Sequence, residues 1–369
     1  MNPVYLDYNA TAPIKPAVVA AMAEVLGRVG NPSSVHAFGR LARRVVEGAR
    51  EQVAALVGAT PAQVIFTASG TEANNMALRG FSERAVLTSA IEHESVLRAV
   101  PDAVRVPVGG DGVVDLAALE QLLVGAGRPA LVSIMLANNE TGIVQPIAEA
   151  AALAHRHGAL LHTDAVQAPG RLDLALARDA DLVTVSAHKC GGPQGAAALI
   201  ARAGSHGDPR ALLVGGGQER GRRAGTENVA AIVGFGVAAE LAAGELAEAP
   251  SIARLRDALE SRVRARSNKV VVVGADRPRL PNTSCLALPG RKAETQLMAL
   301  DLAGVAVSAG SACSSGKVAA SHVLAAMGLA KGLTTGAIRV SLGWATSAGD
   351  VERFVAAWDA MQARAPISP

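Results

Sequence analysis

An α/β fold, with a large domain on a mostly parallel sheet and a smaller mixed α/β domain, is what this sequence predicts, and three observations carry it. The chain has 369 residues, enough for two domains where one usually takes about 100–200. Half of the residues are apolar and 18% are charged, with 38 Gly and 18 Pro to supply turns, so a substantial packed core is expected and disorder is not. From about residue 60 to 200, short apolar runs alternate with helical stretches, the pattern of crossover units whose sheet is covered on both faces.

Taken in order, "QVIFT" reads as a strand and "TEANNMALRGF" as the helix after it; "ALVSIML" is a strand and "PIAEAAALAHRHG" its helix. "ALLHTD", "DLVTVS" and "AAALIA" follow as further buried strands. The segment 228–265 is helix-rich and carries the chain out of the large domain. Strand-like "KVVVVG", "TSCLALPG", "VAVSAG" and "AIRVSLG", with helices between them, then form the smaller domain. The boundaries expected are 14–245 for the large domain and 1–13 with 246–369 for the small one.

Composition also excludes some functions. Thirty-five basic residues against 32 acidic give a net charge of +3, and no cluster of Lys and Arg is interleaved with aromatics, so small-molecule chemistry is favoured over nucleic-acid binding. The start, "MNPVYLDYNATAP", lacks the basic residues and apolar core of a signal peptide, and no apolar run reaches the ~18 residues that span a bilayer, so no membrane association and a cytoplasmic location are expected. The three cysteines, Cys190, Cys285 and Cys313, are odd in number and widely spaced, against a disulfide framework or a paired zinc site. A special cysteine here is a working thiol. His155 and His157, two apart on a helix, point to different faces and suit no metal.

The chemistry gathers around "TVSAHKCGGPQGAAALI". Lys189 ends a strand there, where α/β proteins bind ligands, although taken alone it reads more readily as a lysine that snorkels to the surface. In "LLHTDAVQAPG", Asp164 ends another strand about one crossover earlier, with Gln167 just after it, which places Asp164 on the same rim. A Lys for a Schiff base and an Asp for a pyridinium nitrogen are what pyridoxal phosphate needs; Asp164 is equally readable as a helix N-cap. In "VIFTASGTEANN" a strand runs into Gly70, Thr71 and a helix, whose free N–H groups suit a phosphate. Two nucleotide-loop alternatives fail: "VGGGQERG" misses G-x-G-x-x-G by one residue, and "GSACSSGKV" has the wrong glycine spacing and ends in Val.

With these segments in view the sequence resembles the cysteine desulfurases, pyridoxal-phosphate enzymes of the class V aminotransferase group, in their iron–sulfur-assembly branch. The likeness runs through "YLDYNATAP", "NPSSVHAFGR", "FTASGTEANN", "IEHESVL", "LANNETGIVQPI", "HTDAVQ", "SAHK", "GGGQERGRRAGTEN", "SAGSACSSGKV", "SHVL" and "IRVSLG", nearly the whole chain. It implies the fold type I architecture of that group, with a sheet of the seven-stranded type flanked by helices. It implies that Lys189 forms the Schiff base, Asp164 pairs with the ring nitrogen, Gln167 bonds the ring oxygen, and His93 stacks on the ring and takes part in proton transfer. Gly70, Thr71, Ser186 and His188 would hold the phosphate, with Thr226 reaching across from the other subunit of a homodimer. Asn139 and Arg339 would position the substrate, Arg339 forking onto its carboxylate. Cys313 would be the nucleophile and, as a persulfide, a transient iron–sulfur ligand.

The residue types suit these roles. A buried Lys readily gives up its proton, whereas Arg stays charged and anchors a carboxylate. His93 alone reads as a satisfied core histidine and Cys313 alone as a small buried thiol, but Arg339 inside an apolar strand requires a partner. Cys313 sits among Ser, Ala and Gly, in a segment that buries little, and the expectation is that this segment is the least ordered part of the small domain. The implied reaction takes L-cysteine to L-alanine and leaves a persulfide on Cys313 for a sulfur-acceptor protein such as an iron–sulfur scaffold. The alternative is a selenocysteine lyase or another β-eliminating enzyme of the same fold. Three departures stand out: Gln194 where the family commonly has Lys, Cys190 directly after Lys189, and a short segment after the last helix.

Overall fold

The computed structural model describes residues 3–202, 207–310 and 320–363. The chain enters through a two-residue strand, β1 (Val4–Tyr5). A large sheet then takes β2 (Val64–Thr67), β3 (Ala85–Ser89), β4 (Val104–Val106), β5 (Ala130–Ser133), β6 (Leu160–Asp164), β7 (Leu182–Ser186) and β8 (Ala197–Ala201). Its order is β2-β8-β7-β6-β5-β3-β4. Only β8 runs antiparallel to its neighbours, β2 and β7, so the carboxyl ends of the other strands share one rim.

Strands β2 and β5–β8 are buried along their whole length, as a sheet covered on both faces requires. The period of two sorts their side chains. Val64, Phe66, Val132, Leu161 and Val183 pack on one face with Val46 and Val53 of the helix Ala37–Leu56. Ile65, Leu131, Leu160, Leu182 and Leu199 pack on the other, against Ala73 and Met76 of the helix Gly70–Arg79. The strands β3 and β4 were not among those expected. Three residues of β4 at the sheet edge, with an exposed start, are too few to show a period.

The helix-rich segment resolves into helices Val229–Glu245 and Ala249–Arg266, joined by the 3-10 turn Leu246–Glu248. The joined run is apolar and long enough to cross a membrane by length and composition, which the sequence reading did not expect. Ala231, Ile232, Phe235 and Ala239 instead lie in the core shared with the helix Ala37–Leu56, the normal place for a helix apolar on every side.

Beyond it come β9 (Val271–Val272), β10 (Thr283–Ala287), β11 (Val305–Ala306), β12 (Ser308–Ala309) and β13 (Ala337–Ser341). The antiparallel order is β12-β13-β10-β9, while β1 pairs in parallel with β11. The expected strand "VAVSAG" is therefore two strands in two sheets. Leu286, Ile338 and Val340 pack beneath Phe354 and Trp358 of the helix Ala348–Ala363 as a second core.

One segment ties the two parts together. After β1, Asp7 bridges Ser341 at the end of β13, and then Ala12 N–H donates to the His188 carbonyl (2.8 Å) and Lys15 N–H to that of Gly191 (2.9 Å).

A buried ion pair fixes the turn that precedes Thr226. Arg50 Nη1 and Nη2 reach the two carboxylate oxygens of Glu219 at 2.7 and 2.8 Å, and Phe66 N–H donates to Glu219 at 2.9 Å. Glu219 and its neighbour Arg220 have φ of 48° and 60°, a region costly for residues with a Cβ, so this turn is held by its contacts. Glu219→Ala removes the buried one of the two carboxylates on Arg50, leaving the partly exposed Glu47 at 3.1 Å, and is expected to cost about 3 kcal/mol, read by urea unfolding. A loss below about 1 kcal/mol would show that Glu47 and water together satisfy the guanidinium.

Candidate active site

The carboxyl rim of the large sheet gathers the polar residues. After β2, the Ser69 hydroxyl caps the next helix by accepting from Glu72 N–H at 3.1 Å, and Gly70 and Thr71 stand at that helix's positive end. At Gly70 a Cβ would lie 3.3 Å from Val166 Cγ1, a tight fit on the cavity side of the helix start. The segment after β3 brings His93, that after β5 brings Asn139, and β6 ends in Asp164 with Gln167 three residues on. Strand β7 ends in Ser186, followed by His188 and Lys189 in a 3-10 turn. From the small sheet, Arg339 of β13 faces the same space. All of these line one cavity of about 430 Å³.

Thr226 is exposed and does not line this cavity. Cys313, with its segment, lies outside the described residues. The metal expectation attached to Cys313 lies there too; among the described residues no cluster of His, Cys, Asp and Glu suits a metal ion.

The register explains how Lys189 and Asp164 meet: β6 and β7 pair in parallel with Asp164 opposite Thr184, so both strand ends point to one side. Lys189 Nζ donates to the carbonyls of Asn9 (2.6 Å) and Ala10 (2.9 Å). Burial, and then the charges of Arg339 and Arg171, draw its pKa down to about 8. Asp164 accepts from Asn74 Nδ2 (2.7 Å) and from Val166 N–H (3.1 Å), which fixes its carboxylate. Asn74 Nδ2 also donates to Ser95 Oγ (2.9 Å), which meets His93 Nδ1 at 2.8 Å. Because His93 Nδ1 also accepts Ser95 N–H (3.1 Å), the neutral ring carries its proton on Nε2. Burial lowers the pKa of His93, and burial with Lys189 brings His188 to about 4, so both rings are neutral at pH 7.

Two buried donors in this cavity are unspent. Ser186 Oγ has no hydrogen-bond partner, and neither has Arg339 Nε. The other nitrogens of Arg339 are held, Nη2 by Asp7 Oδ1 (2.7 Å) and Nη1 by the Asn139 carbonyl (3.2 Å). This supplies the partner that a charge in an apolar strand requires.

Sequence reasoning missed Asp7, Asn9, Asn74, Ser95 and Arg171. Asp7, Asn9, Asn74 and Ser95 lie inside segments that carried the resemblance, "YLDYNATAP", "FTASGTEANN" and "IEHESVL", but nothing local in them marks contacts to residues from about 20 to over 300 positions away. Asn9 is the clearest case. Its side chain joins Asn139, Thr283, Asn282 and Arg171, and its carbonyl takes both Lys189 and Gln167.

The structure also accounts for two cysteines. Cys190 packs with Val18, Ala238 and Ala242, its thiol faces the Ala187 carbonyl at 3.3 Å, and burial pushes its pKa up to about 11. Cys285 is buried in β10, and burial pushes it up to about 12. Both are protonated, apolar-packed thiols at neutral pH.

A desolvated lysine over the carboxyl rim of a mainly parallel sheet defines an α/β enzyme whose chemistry runs through an amine. Comparison with known proteins agrees. The model of the aminotransferase class-V family matches residues 4–354. A cysteine desulfurase of Cereibacter sphaeroides is 44% identical over 96% of this chain and 94% of its own. An IscS-like cysteine desulfurase of Mycobacterium tuberculosis is 41% identical over 94% and 93%. The solved structure of a NifS-like protein from Rickettsia africae superposes with a TM-score of 0.91 at 36% identity, covering 98% of this chain and 99% of the other. The chain belongs to the class V aminotransferases and, within them, to the cysteine desulfurases. That family depends on pyridoxal phosphate.

The environment of Lys189 is testable without cofactor. Reductive methylation of the apoprotein by formaldehyde and borohydride, read at the Lys189 peptide, is expected to have its midpoint near pH 8. A midpoint near the ordinary lysine value of about 10.4 would place the amine in bulk solvent.

Proposed function

We propose that this chain takes sulfur from L-cysteine with pyridoxal 5'-phosphate as cofactor, releasing L-alanine and leaving a persulfide on Cys313. The observation that carries this reading is the pair of unspent buried donors in one cavity, Ser186 Oγ beside a helix start and Arg339 Nε on the small sheet. One suits a phosphate and the other a carboxylate.

The other residues fit the cofactor. Lys189 supplies the amine, the fixed carboxylate of Asp164 suits a protonated ring nitrogen, and Gln167 offers its amide to the ring oxygen. Gly70, Thr71, Ser186 and His188 surround the phosphate position. Bound there, the cofactor supplies an electron sink for the substrate's carbon skeleton.

Lys189, drawn to about 8, holds or releases a proton at Nζ near neutral pH and so moves protons to and from the substrate carbon. With Nδ1 held by Ser95, His93 leaves Nε2–H for the cavity, where the ring would stack on the cofactor and shuttle a proton. Arg339 takes the substrate carboxylate with Asn139 beside it. The Cys313 sulfur attacks the substrate sulfur: an S–S bond forms and the C–S bond breaks. The electron pair of the C–S bond stays with the carbon skeleton and is protonated. L-cysteine and the Cys313 thiol thus give L-alanine and the persulfide, with no outside oxidant or reductant. The burial of Cys190 and Cys285 supports Cys313 as the working thiol, and a sulfur-acceptor protein such as an iron–sulfur scaffold takes up its product.

We further propose a homodimer. Leu26, Val29 and Phe38 are 71%, 76% and 59% exposed and line a shallow apolar groove that reaches Glu227 and Asn228 next to Thr226. A second copy over this patch would let Thr226 complete its neighbour's phosphate site.

Three substitutions test the reading. Lys189→Ala is expected to abolish the borohydride-reducible link to pyridoxal phosphate, and a colourless wild type that takes up no cofactor would end the proposal. Cys313→Ser should stay yellow and bind cysteine yet form no persulfide; alanine and sulfide at the normal rate would mean direct elimination instead. Arg339→Lys keeps the charge but loses the planar fork, so kcat/KM for cysteine should fall about tenfold or more with the cofactor spectrum unchanged.

A further inference from the structure

Arg171 carries a charge near Lys189 and a bond to Asn9; it does not line the cavity itself, but its guanidinium bonds to Gln167 and Lys189, which do. It follows β6 in the turn "QAPGRLD". Nη1 donates to Gln167 Oε1 (2.5 Å) and to Asn9 Oδ1 (3.0 Å), and Nη2 donates to the carbonyls of Lys189 (3.1 Å) and Tyr8 (3.3 Å). Burial brings its pKa to about 10, which still leaves a cation at neutral pH.

We propose that Arg171 is the positioning residue that decides which end of the Gln167 amide faces the cofactor and that fixes Lys189 beside it. This inference rests on the reading of Lys189 as the cofactor lysine. A guanidinium can only donate, so it pins the Gln167 oxygen and turns the NH2 group the other way. There, Gln167 Nε2 reaches the Asn9 carbonyl at 3.0 Å, and Lys189 Nζ reaches the same oxygen at 2.6 Å. Two donors thus converge on one acceptor. Bound pyridoxal phosphate would carry its ring oxygen beside the carbon that joins Lys189, and as an anion that oxygen would take a donor from Gln167. A flipped Gln167 would offer it an oxygen and repel it. Through Nη2, Arg171 also holds the main chain at Lys189.

Its charge acts on the same amine. The groups facing Lys189 are the cations Arg339 and Arg171, the carboxylates Asp164 and Asp7, and the neutral rings of His93 and His188. Removing one of the two cations favours the protonated amine.

The experiment compares wild type with Arg171→Met and Arg171→Lys, using formaldehyde trapping of Lys189 in the apoprotein and the pH midpoint of the visible band in the pyridoxal-phosphate-loaded protein. Arg171→Met is expected to raise both midpoints by about half a unit or more. Arg171→Lys keeps the charge and restores the amine midpoint, but one ammonium cannot hold both Gln167 and the Lys189 carbonyl, so its band midpoint stays shifted. A role confined to tying Asn9 and Tyr8 to the large sheet would lower the melting temperature and move neither midpoint, and that result overturns the inference alone. If Arg171→Met does not fold, a wild-type band midpoint in Arg171→Lys overturns it as well. A wild type that forms no link to pyridoxal phosphate at Lys189 removes the reading on which it rests.

Discussion

The amine of Lys189 sits out of bulk water on two main-chain carbonyls, those of Asn9 and Ala10, and much of the structure is arranged around that placement. Partly withdrawn from water and close to the charges of Arg339 and Arg171, the ammonium form loses its ordinary advantage, and the pKa falls to about 8. The carbonyls prevent the opposite failure, since they satisfy the protonated form well enough to hold the side chain in place. Between these limits the nitrogen is poised to work as acid, base or nucleophile.

Holding those carbonyls requires the N-terminal segment to cross from one sheet to the other. The bridge of Asp7 to Ser341 and the bonds of Ala12 and Lys15 to the turn after β7 keep it there. The same crossing places Asp7 on Arg339, so the guanidinium that faces the cavity is oriented by the segment that orients the lysine. Both ends of the site thus share one support. Asn9 is 1% exposed and every polar atom of its side chain is used, which makes it costly to replace, and only its main-chain carbonyl meets the Lys189 amine.

Much of the site was legible in the chain because strand ends are written in it. Lys189, Asp164 and Ser186 each close an apolar run, and in a parallel sheet such ends fall on one rim. The strand β4 was not legible, being three residues at the sheet edge, and β3 beside it has a half-buried start and only three apolar residues before Thr88 and Ser89. Nor was the split of "VAVSAG", because the period of two within it is the same whether one sheet or two receive it. Cys190 had no account from sequence; its neighbours Val18, Ala238 and Ala242 supply one, and they come from two helices far away in the chain.

The sequence by itself determined the α/β class, the residues able to carry the chemistry, and the family resemblance, because these reside in local periodicity and in short motifs. Tertiary structure alone decided which polar groups stay unspent, since a donor such as Ser186 Oγ or Arg339 Nε is free only when every other element has been placed. It also decided the partners of Asn9, Arg171 and Glu219. Hydrogen bonds between residues 9 and 282, 8 and 171, or 50 and 219 depend on how the sheets are set against each other, and no stretch of sequence contains that distance.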